Sequence, residues 1–562
     1  MLNTQKAMLE AVEHQKAGRW TEAEAVCRQV LDADPRRSDA LQLLGIIAWR
    51  EKRHQDALDL IGRAIEINPS QPQFHGNLGL VLVDMGKLDE AIAAFTRSLM
   101  LRPKSAKTHN DVGNALVAKG MTEQAAESFR QALAITPDFP EALFNLGNTL
   151  RKQGQVDEAM TYYRKALAAR PGWAEAHNNL GNSLSRLGRM DEAIAAYRTA
   201  LAQMPESAEM HNNLGSAYMA KGDLDRAMTF FQSALQLQEN HPSAHWNMGL
   251  IHLLRGEFEE GWPLYEWRAR VPGLGINARL HPPAWDGTDL GGRRILIHHE
   301  QGLGDVIQFI RYLPMVAERN GRIVLACHPA LHRLLRGVGR EYGEWASLIE
   351  EWAAPDGDFP EYEVHCPLMS LPHVFRTNLT NIPAPNPYVW ADDVLADQWR
   401  RRLQGSAERK IGIAWAGSAV HPNDRNRSFP LSTLAALGQV ANVRWVSLQT
   451  GEPARQAATA PFALTDWSGD LTDFADTAAL VANLDLVISA DTAVVHLAAA
   501  MGKPVWVLLP KAPDWRWMRE REDSPWYPTI RFFRQEVAGD WTTPVSRIVS
   551  AAEALPSALN SQ

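Results

Sequence analysis

A glycine-rich loop with one aspartate, EQGLGD, is the first place where residue types and spacing could support chemistry. It follows the apolar run ILIHH and precedes an amphipathic stretch, so the pattern predicts a loop between a buried strand and a helix. Gly302 and Gly304 would leave backbone amides free to face a ligand, and Asp305 would lie near the start of the helix. An aspartate there is also a common N-cap, which stabilises a helix by about 1 kcal/mol. The residues alone therefore predict either a ligand-binding loop or a capped helix.

Two further loops carry polar side chains directly after apolar runs. The segment DTAVVHLAAAMGKP follows LDLVISA and contains Asp491, Thr492 and His496. The segment HPNDRNRSFP follows KIGIAWA and contains Arg425 and Arg427. A helix histidine packed beneath its loop and arginines that are only surface charges are the structural alternatives to a ligand site.

The apolar runs around these loops predict the elements that must position them. From Arg294 onward, apolar runs alternate with amphipathic stretches, as in α/β domains with a parallel sheet. One βαβ pattern runs from ILIHH to RIVLAC, and after the proline-rich NIPAPNPYVW the pattern restarts with KIGIAWAG, VRWVSLQTG, LDLVISAD and PVWVLLP. The sequence thus predicts two Rossmann-like halves, with their boundary between about residues 385 and 410. Ligands of such folds lie beyond the carboxyl ends of the strands.

On these motifs, residues from about 290 to 550 resemble a GT-B glycosyltransferase. QGLGDVIQFIRYLP is similar to the glycine-Asp loop of the heptosyltransferases, glycosyltransferase family nine, and this resemblance implies that Asp305 is the base on the acceptor hydroxyl. DTAVVHLAAAMGKP is similar to that family's donor-site motif, with Ala493 where glycine is usual, and HPNDRNRSFP resembles its loop that carries a basic residue to the donor diphosphate. The resemblance implies an inverting, metal-independent transfer. The donor-binding residues that it implies are Gly302, Gly304, Arg425, Arg427, Asp491, Thr492 and His496.

The first half of the chain repeats with a period of 34 residues. A glycine marks each period, and an alanine, a larger residue four positions later and a closing proline recur in phase with it. The glycines are Gly45, Gly79, Gly113, Gly147, Gly181, Gly215 and Gly249. Each period predicts two short helices, small residues where the helices approach, an aromatic side chain beside them and a proline that ends the second helix. The pattern resembles the tetratricopeptide repeat over about residues 4 to 270, in seven full copies and a degraded eighth.

A column of short polar residues lies two positions before most of these glycines. Its members are Asn77, Asp111, Asn145, Asn179, Asn213 and Asn247. Because Asn is a poor helix former that carries both a donor and an acceptor, the column predicts a row on the concave face that holds an extended peptide. A solvated helix face is the alternative. The column resembles the asparagine ladder of the O-GlcNAc transferases, which implies a protein substrate. Histidines in nearly the same register are expected to line the groove or to pack there, and not to bind a metal: His75, His109, His177, His211 and His245.

Composition and charge exclude several classes of protein. A length of 562 residues, 45% of them hydrophobic and 22% charged, is typical of a soluble protein with three or four domains. A formal charge of −8 argues against nucleic acid or an anionic membrane as the main partner. Three scattered cysteines predict neither a disulfide framework nor a cysteine zinc site, and they favour a reducing compartment. Without a signal peptide or an apolar stretch of ~18 residues, we expect a cytoplasmic protein.

These observations predict an α-solenoid followed by a GT-B fold of two Rossmann-like halves. The expected domains are a repeat array at 1–270, a connector at 271–292, an acceptor-side half at 293–390 and a donor-side half at 391–562. The expected function is transfer of a sugar from a nucleotide-sugar, without a cofactor, to a hydroxyl of a protein recruited by the repeats. Bacterial proteins of this organisation resemble protein glycosyltransferases, including those of flagellin. A non-catalytic scaffold that binds partners through both halves, and a lipopolysaccharide glycosyltransferase with repeats for assembly, are the alternatives.

Overall fold

The computed structural model describes residues 3–274, 280, 283–337, 347–355, 357–383, 387–405, 408–421 and 423–555. The chain divides into two compact units, Met1–Ala217 and Tyr218–Gln562. The first unit is helical. The second unit begins with further helices and continues into two parallel sheets.

The first unit is a succession of helix pairs, each a helix of 13 residues followed by one of 14. The helices are α1 (Thr4–Lys16), α2 (Trp20–Ala33), α3 (Ser38–Arg50), α4 (His54–Ile67), α5 (Pro72–Asp84), α6 (Leu88–Leu101), α7 (Ala106–Ala118), α8 (Thr122–Ile135), α9 (Pro140–Lys152), α10 (Val156–Ala169), α11 (Ala174–Arg186) and α12 (Met190–Gln203). The next helix, α13 (Ala208–Ala220), runs across the boundary between the units. The 34-residue period therefore gives the helix pairs that it predicts.

The recurring glycines and aromatic residues form one packing motif. A Cβ atom on Gly79 would lie 2.5 Å from the ring of Phe95, and one on Gly147 would lie 2.7 Å from the ring of Tyr163. Both rings are fully buried. Since the ring fills the space that a side chain would need, the paired helices can approach this closely only with glycine at that position.

The turn between the two helices of a repeat needs a left-handed residue. Gly120 and Gly154 both have φ near +82° there, a conformation that glycine adopts without steric cost. Lys52, which occupies the same place in an earlier repeat, has φ of +63°. The turn geometry is thus kept even where glycine is replaced.

The second unit begins with helices that continue the repeat pattern. These are α14 (Leu224–Leu237), α15 (Pro242–Arg255) and α16 (Phe258–Tyr265), followed by a 3₁₀ helix at Glu266–Arg270. Of the expected connector at 271–292, residues 275–279 and 281–282 lie outside the described residues.

Two parallel sheets follow. The first contains β1 (Arg294–His298), β2 (Arg322–Ala326), β3 (Ile349–Ala353) and β4 (Val364–Pro367) in the order β3-β2-β1-β4. The second contains β5 (Arg409–Ala414), β6 (Val443–Ser447), β7 (Leu464–Thr465), β8 (Leu486–Ala490), β9 (Val505–Leu509) and β10 (Ile530–Arg534) in the order β10-β9-β8-β5-β6-β7. All residues of β8 and β9 are buried, which is why these strands are continuous apolar runs in the sequence.

Short helices connect the strands. They are α17 (Leu303–Phe309), α18 (Leu313–Ala317), α19 (His332–Gly337), α20 (Leu371–Val374), α21 (Asp393–Arg402), α22 (Asp424–Arg427), α23 (Phe474–Val481), α24 (Ala493–Ala500) and α25 (Thr542–Glu553). The sequence predicted one helix over VIQFIRYLPMVAE, and that prediction is wrong in two respects. The helix begins earlier, at Leu303, and a 3₁₀ turn at Ile310–Tyr312 separates it from α18. Pro314, which lacks an N–H, lies in the first turn of α18, the only part of a helix that accommodates it without strain.

Candidate functional site

The loops singled out in the sequence all lie at carboxyl ends of parallel strands. Gly302 and Gly304 follow β1, Arg427 follows β5, Asp491 follows β8, and a further loop at 510–516 follows β9. In the second sheet the strand order reverses between β5 and β8, and ligands of open parallel sheets bind at such a point. The fold thus brings the candidate residues to the edges where a ligand is expected.

Asp305 is the third residue of α17, and it closes a capping box with Gly302, the residue before the helix. Its Oδ2 accepts a hydrogen bond of 2.7 Å from the backbone N–H of Gly302, and its Oδ1 accepts one from Nη2 of Arg516. The side chain is 17% exposed. The Gly302 amide, expected to face a ligand, is therefore engaged by Asp305, while the carboxylate keeps lone pairs for another partner.

Arg516 links the two halves of the second unit. It is buried between Trp515 and Phe309, with its guanidinium carbon 4.5 Å and 5.8 Å from the ring centroids. Its Nε donates to Gln308 at 2.8 Å and its Nη1 donates to Asp514 at 2.7 Å, while Nη2 bonds Asp305. Since Asp305 follows β1 and Arg516 follows β9, this ion pair joins the strand ends of the two sheets.

Asp491 lies in the same group of charges. Burial first, and then repulsion from Asp514, raise its pKa to about 6, whereas Arg427 and Arg516 act in the opposite direction. Two carboxylates and two guanidiniums therefore interact at this edge of the second sheet.

Arg427 is half-buried in the loop after β5. Its side chain is 15% exposed, and a Cβ atom on Gly417 would lie 2.7 Å from its Nη2, so the guanidinium lies against the chain that leaves β5. Its Nε is buried without a hydrogen-bond partner among the described residues and lies 3.7 Å from Asp424. The neighbouring Arg425 is exposed, and Pro422 of the same loop lies outside the described residues.

Thr492 and His496 are both buried at the start of α24. The hydroxyl of Thr492 lies 3.2 Å from that of Ser489, and Nδ1 of His496 lies 3.0 Å from the hydroxyl of Tyr527. Burial, followed by repulsion from nearby arginines, holds the pKa of His496 well below its ordinary value. A Cβ atom on Gly304 would lie 2.7 Å from the His496 ring. Packing of α17 on α24 thus accounts for the glycine and the histidine, and their contact with a donor stays a prediction.

A buried ion pair that the sequence did not reveal lies next to the loop of Gly302 and Asp305. Nη2 of Arg268 donates to Glu300 at 2.8 Å and to Ser370 at 2.7 Å, and its Nη1 donates to Glu266 at 2.6 Å. Burial raises the pKa of Glu300, against the effect of Arg268. Arg268 belongs to the 3₁₀ helix after the last repeat, so this pair fixes that segment to the loop after β1. No motif in the sequence signals it.

The asparagine column of the repeats is hydrogen bonded from one repeat to the next. Nδ2 of Asn145 donates to the side chains of Asn110 and Asn114, each at 3.0 Å. Asn179 donates to Asn148 at 2.8 Å, and Asn213 donates to Asn178 at 3.0 Å. The column is half-buried at 77, 145, 179 and 213 and buried at Asn247, so it is not a freely solvated face. Burial raises the pKa of its acidic member, Asp111, to about 6.

The histidine column has a structural role that the sequence did not reveal. Nε2 of each of these rings lies 2.8 to 3.2 Å from the backbone carbonyl six residues earlier, at the end of the preceding repeat. The five rings are His75, His109, His177, His211 and His245. Four of the carbonyls belong to the closing prolines, so each ring ties the inter-repeat turn to the next helix.

The described part of the chain contains neither a candidate metal cluster nor a helix suited to crossing a membrane. No group of three or more His, Cys, Asp or Glu side chains there could hold a metal ion. None of the helices within the described ranges reaches the length and hydropathy that crossing a bilayer needs.

Two family models match the chain. The tetratricopeptide repeat model matches residues 8–72, 56–106, 77–138, 110–172 and 178–244. The model of glycosyltransferase family 9 (heptosyltransferase) matches residues 455–517, which include Asp491, His496 and Arg516. The chain therefore carries tetratricopeptide repeats in its N-terminal region and, near its C-terminus, a segment that matches glycosyltransferase family 9. This match includes the motif DTAVVHLAAAMGKP, whereas the loops of Asp305 and Arg427 lie outside it.

Similar proteins were found among curated sequences and solved structures. Protein FlbA of Caulobacter vibrioides is 29% identical over 324 residues, which cover 52% of this chain and 52% of that protein, so the chain spans about half the length of this relative. YrrB, described as a TPR protein with an unusual peptide-binding site, is 27% identical over 33% of this chain and 95% of its own, with a TM-score of 0.30. The MamA protein is 26% identical over 30% of this chain and 92% of its own, with a TM-score of 0.28.

Proposed function

We propose that the second unit is an inverting glycosyltransferase that moves a sugar from a nucleotide-sugar to an acceptor hydroxyl. The observation that carries this proposal is the contact of Asp305, after β1 of one sheet, with Arg516, after β9 of the other. A carboxylate that takes the hydroxyl proton and preorganised positive charge for the leaving diphosphate are what such a displacement requires. The match to glycosyltransferase family 9 over residues 455–517 supports the same assignment.

Asp305 is the proposed base. The Gly302 N–H and the Arg516 guanidinium hold its carboxylate in one orientation, and each occupies a lone pair on a different oxygen. A carboxylate has about four acceptor sites, so the acceptor hydroxyl can still donate to it as the proton is transferred. Attack on the anomeric carbon from this side, opposite to the leaving diphosphate, inverts the configuration in one step.

The leaving diphosphate is proposed to lie between Arg427 and the start of α24. The exposed part of the Arg427 guanidinium offers charge-assisted hydrogen bonds, and the first amides of α24, beginning at Ala493, add the positive end of the helix dipole. Thr492 and the exposed Arg425 lie beside these groups in the two loops. Because this charge comes from arginines and backbone amides, the transfer is proposed to need no metal ion.

The proposed acceptor is a protein that the repeats recruit, and flagellin is the first to test. In the half-buried column, Asn145, Asn179 and Asn213 bond the preceding repeat through Nδ2, and their amide oxygens could accept from a peptide N–H, which supports this acceptor over a lipid-linked sugar. A bound peptide would lie along the asparagine column of the repeats.

The test begins with a thermal-shift screen of nucleotide-sugars on the full chain, because a ligand at 100 times its Kd should stabilise by ~2.7 kcal/mol. With the donor identified, we expect Asp305→Asn to lower kcat at least ~100-fold while its donor Kd stays within a few-fold of the parent. The measurement is release of the nucleoside diphosphate in the presence of acceptor. Asp358→Asn, an exposed aspartate of the same half, is the matched control and should leave kcat unchanged.

Two results would contradict the proposal. If no nucleotide-sugar stabilises the chain, the second unit is a scaffold. If Asp305→Asn retains the parent's kcat, Asp305 only stabilises the start of α17.

A further inference from the structure

A cavity lies in the second unit, beside the loop that contains Arg516. It has a volume of about 940 Å³. One side is formed by the end of α13, the start of α14 and the end of α15, and the other by Lys511 and residues 518–521. Tyr218, Leu224, Leu254 and Met518 contribute its apolar surface. Its size is that of a ligand-binding cleft.

Basic residues predominate around this cavity. Six of its lining side chains are basic and three are acidic. The basic ones are Lys221, Arg226 and Arg255 on the repeat side and Lys511, Arg519 and Arg521 on the other side. Two of the acids are engaged within the cavity, since Asp225 lies 2.6 Å from Arg255 and Asp223 lies 3.4 Å from Arg226. The cavity therefore has a net positive charge, which attracts anions.

The loop on one side of the cavity is itself held together by an arginine bound to neutral groups. Arg534 donates three hydrogen bonds of 2.6 to 2.9 Å to the carbonyls of Trp517, Met518 and Arg521. Nη1 of Arg519 donates to the carbonyl of Gly222 at 2.9 Å. Burial, followed by repulsion from Arg519, lowers the pKa of Arg534 to about 10, against the effect of Glu522. Arg519 and Arg534 are thus oriented by backbone carbonyls, whereas Arg521 is paired with Asp523 at 2.7 Å.

The cavity and the candidate site share one loop and one sheet edge. Arg516, which bonds Asp305, is two residues before Met518 of the cavity. Lys511 follows β9, and Asp491 follows the neighbouring strand β8, so both lie at the carboxyl edge of the second sheet. A chain bound in the cavity would therefore run close to the proposed site of transfer.

We infer that this cavity binds an acidic segment of a polypeptide that flanks the residue to be modified. The basic side chains are divided between two facing sides, which suits an extended chain with carboxylates in both directions, whereas a phosphate is held by groups that converge on one point. The apolar surface can contact the Cα and side-chain carbons between the acidic residues. The inference rests on the proposed function only in naming that polypeptide as the acceptor.

The test measures binding directly, without sugar transfer. The probe is a fluorescein-labelled peptide of alternating Glu and Ser, added to the full chain at low ionic strength and followed by anisotropy. We expect Lys511→Glu and Arg519→Glu each to weaken binding at least ~10-fold, and added salt to weaken binding to the parent. Arg401→Glu, at an exposed arginine of α21 that does not line the cavity, should bind like the parent. A peptide of alternating Gln and Ser should not bind.

Three outcomes would overturn the inference. They are equal affinity of the Glu and Gln peptides, unchanged affinity in both cavity variants, and tight binding of inorganic pyrophosphate to the parent without binding of the peptide. If the peptide fails to bind but nucleotide-sugars still stabilise the chain, this inference fails and the proposed function stands. If the peptide binds but no donor is turned over, this inference stands and the proposed function fails.

Discussion

At the end of β8, Asp491 is a residue whose ionisation costs stability. Its folded-state pKa of about 6 is above the ~3.9 of an unfolded chain, so the folded protein holds the proton more tightly. The stabilisation that this proton provides is complete below pH ~4 and is lost as the pH rises through 6. A carboxylate kept ionised at neutral pH despite this cost is typical of a functional position.

We therefore expect Asp491→Asn to be more stable than the parent at neutral pH. The asparagine does not titrate, so its melting temperature should exceed that of the parent by a few degrees at pH 7 and equal it near pH 4. Calorimetry across this pH range measures the difference. Asp358→Asn is the control for an exposed aspartate. If the melting temperatures of Asp491→Asn and the parent differ by the same amount at every pH, burial does not perturb the pKa of Asp491.

At the scale of the elements, the closeness of paired helices depends on one glycine per repeat. Helix α5 contains two glycines whose replacement by alanine is expected to change stability in opposite directions. At Gly79 a methyl group would overlap the buried ring of Phe95, whereas at Gly76 the nearest atom, the hydroxyl oxygen of Ser98, would be 3.7 Å away. Packing therefore requires glycine at position 79, whereas glycine at position 76 only lowers the stability of the helix.

We expect Gly79→Ala to destabilise the repeats by about 1 to 3 kcal/mol through overpacking. Gly76→Ala should stabilise them by up to ~1 kcal/mol, since alanine is the better helix former. Thermal unfolding monitored by far-UV circular dichroism measures whether each variant is more or less stable than the parent. A change of the same sign in both variants would mean that the Phe95 ring does not set the distance between α5 and α6.

At the scale of the whole molecule, recruitment and chemistry are proposed to occupy different units. Changing Asn145, Asn179 and Asn213 together to Ala should raise the KM for a protein acceptor at least ~5-fold, through loss of hydrogen bonds to its backbone, and should leave donor hydrolysis unchanged. Kinetics with acceptor and with donor alone separate the two effects.

Because these asparagines form hydrogen bonds between repeats, the triple variant needs a control for lost stability. The side-chain amides of Asn145, Asn179 and Asn213 bond the preceding repeat, so replacing them is expected to cost some stability. Gly79→Ala is the matched control, because it should destabilise the repeats without replacing a residue of the column. Assayed at temperatures below its own melting temperature, this variant should have the same KM as the parent. An unaltered KM in the triple variant would assign recruitment to another surface.

The sequence by itself determined the helix pairs of the repeats and six of the ten described strands, whereas β3, β4, β7 and β10 were not predicted. A 34-residue period with glycine, aromatic and proline in phase is a local pattern, because each repeat packs on the next one along the chain, and the helix pairs confirm it. The buried parallel strands are apolar runs, and the loops with Gly302, Arg427 and Asp491 follow them as predicted. The histidine column could also have been explained, since each carbonyl partner is only six residues away.

Only the tertiary structure decided which charges meet. Asp305 and Arg516 are 211 residues apart, and Arg268 bonds Glu300 across 32 residues that include the connector. A local pattern cannot specify such partners, because they depend on how loops from two sheets approach each other. The perturbed pKa values of Asp491 and His496 likewise depend on burial among side chains from several elements. Sequence patterns place a residue at a strand end, whereas its electrostatic neighbours follow from the packing of the whole unit.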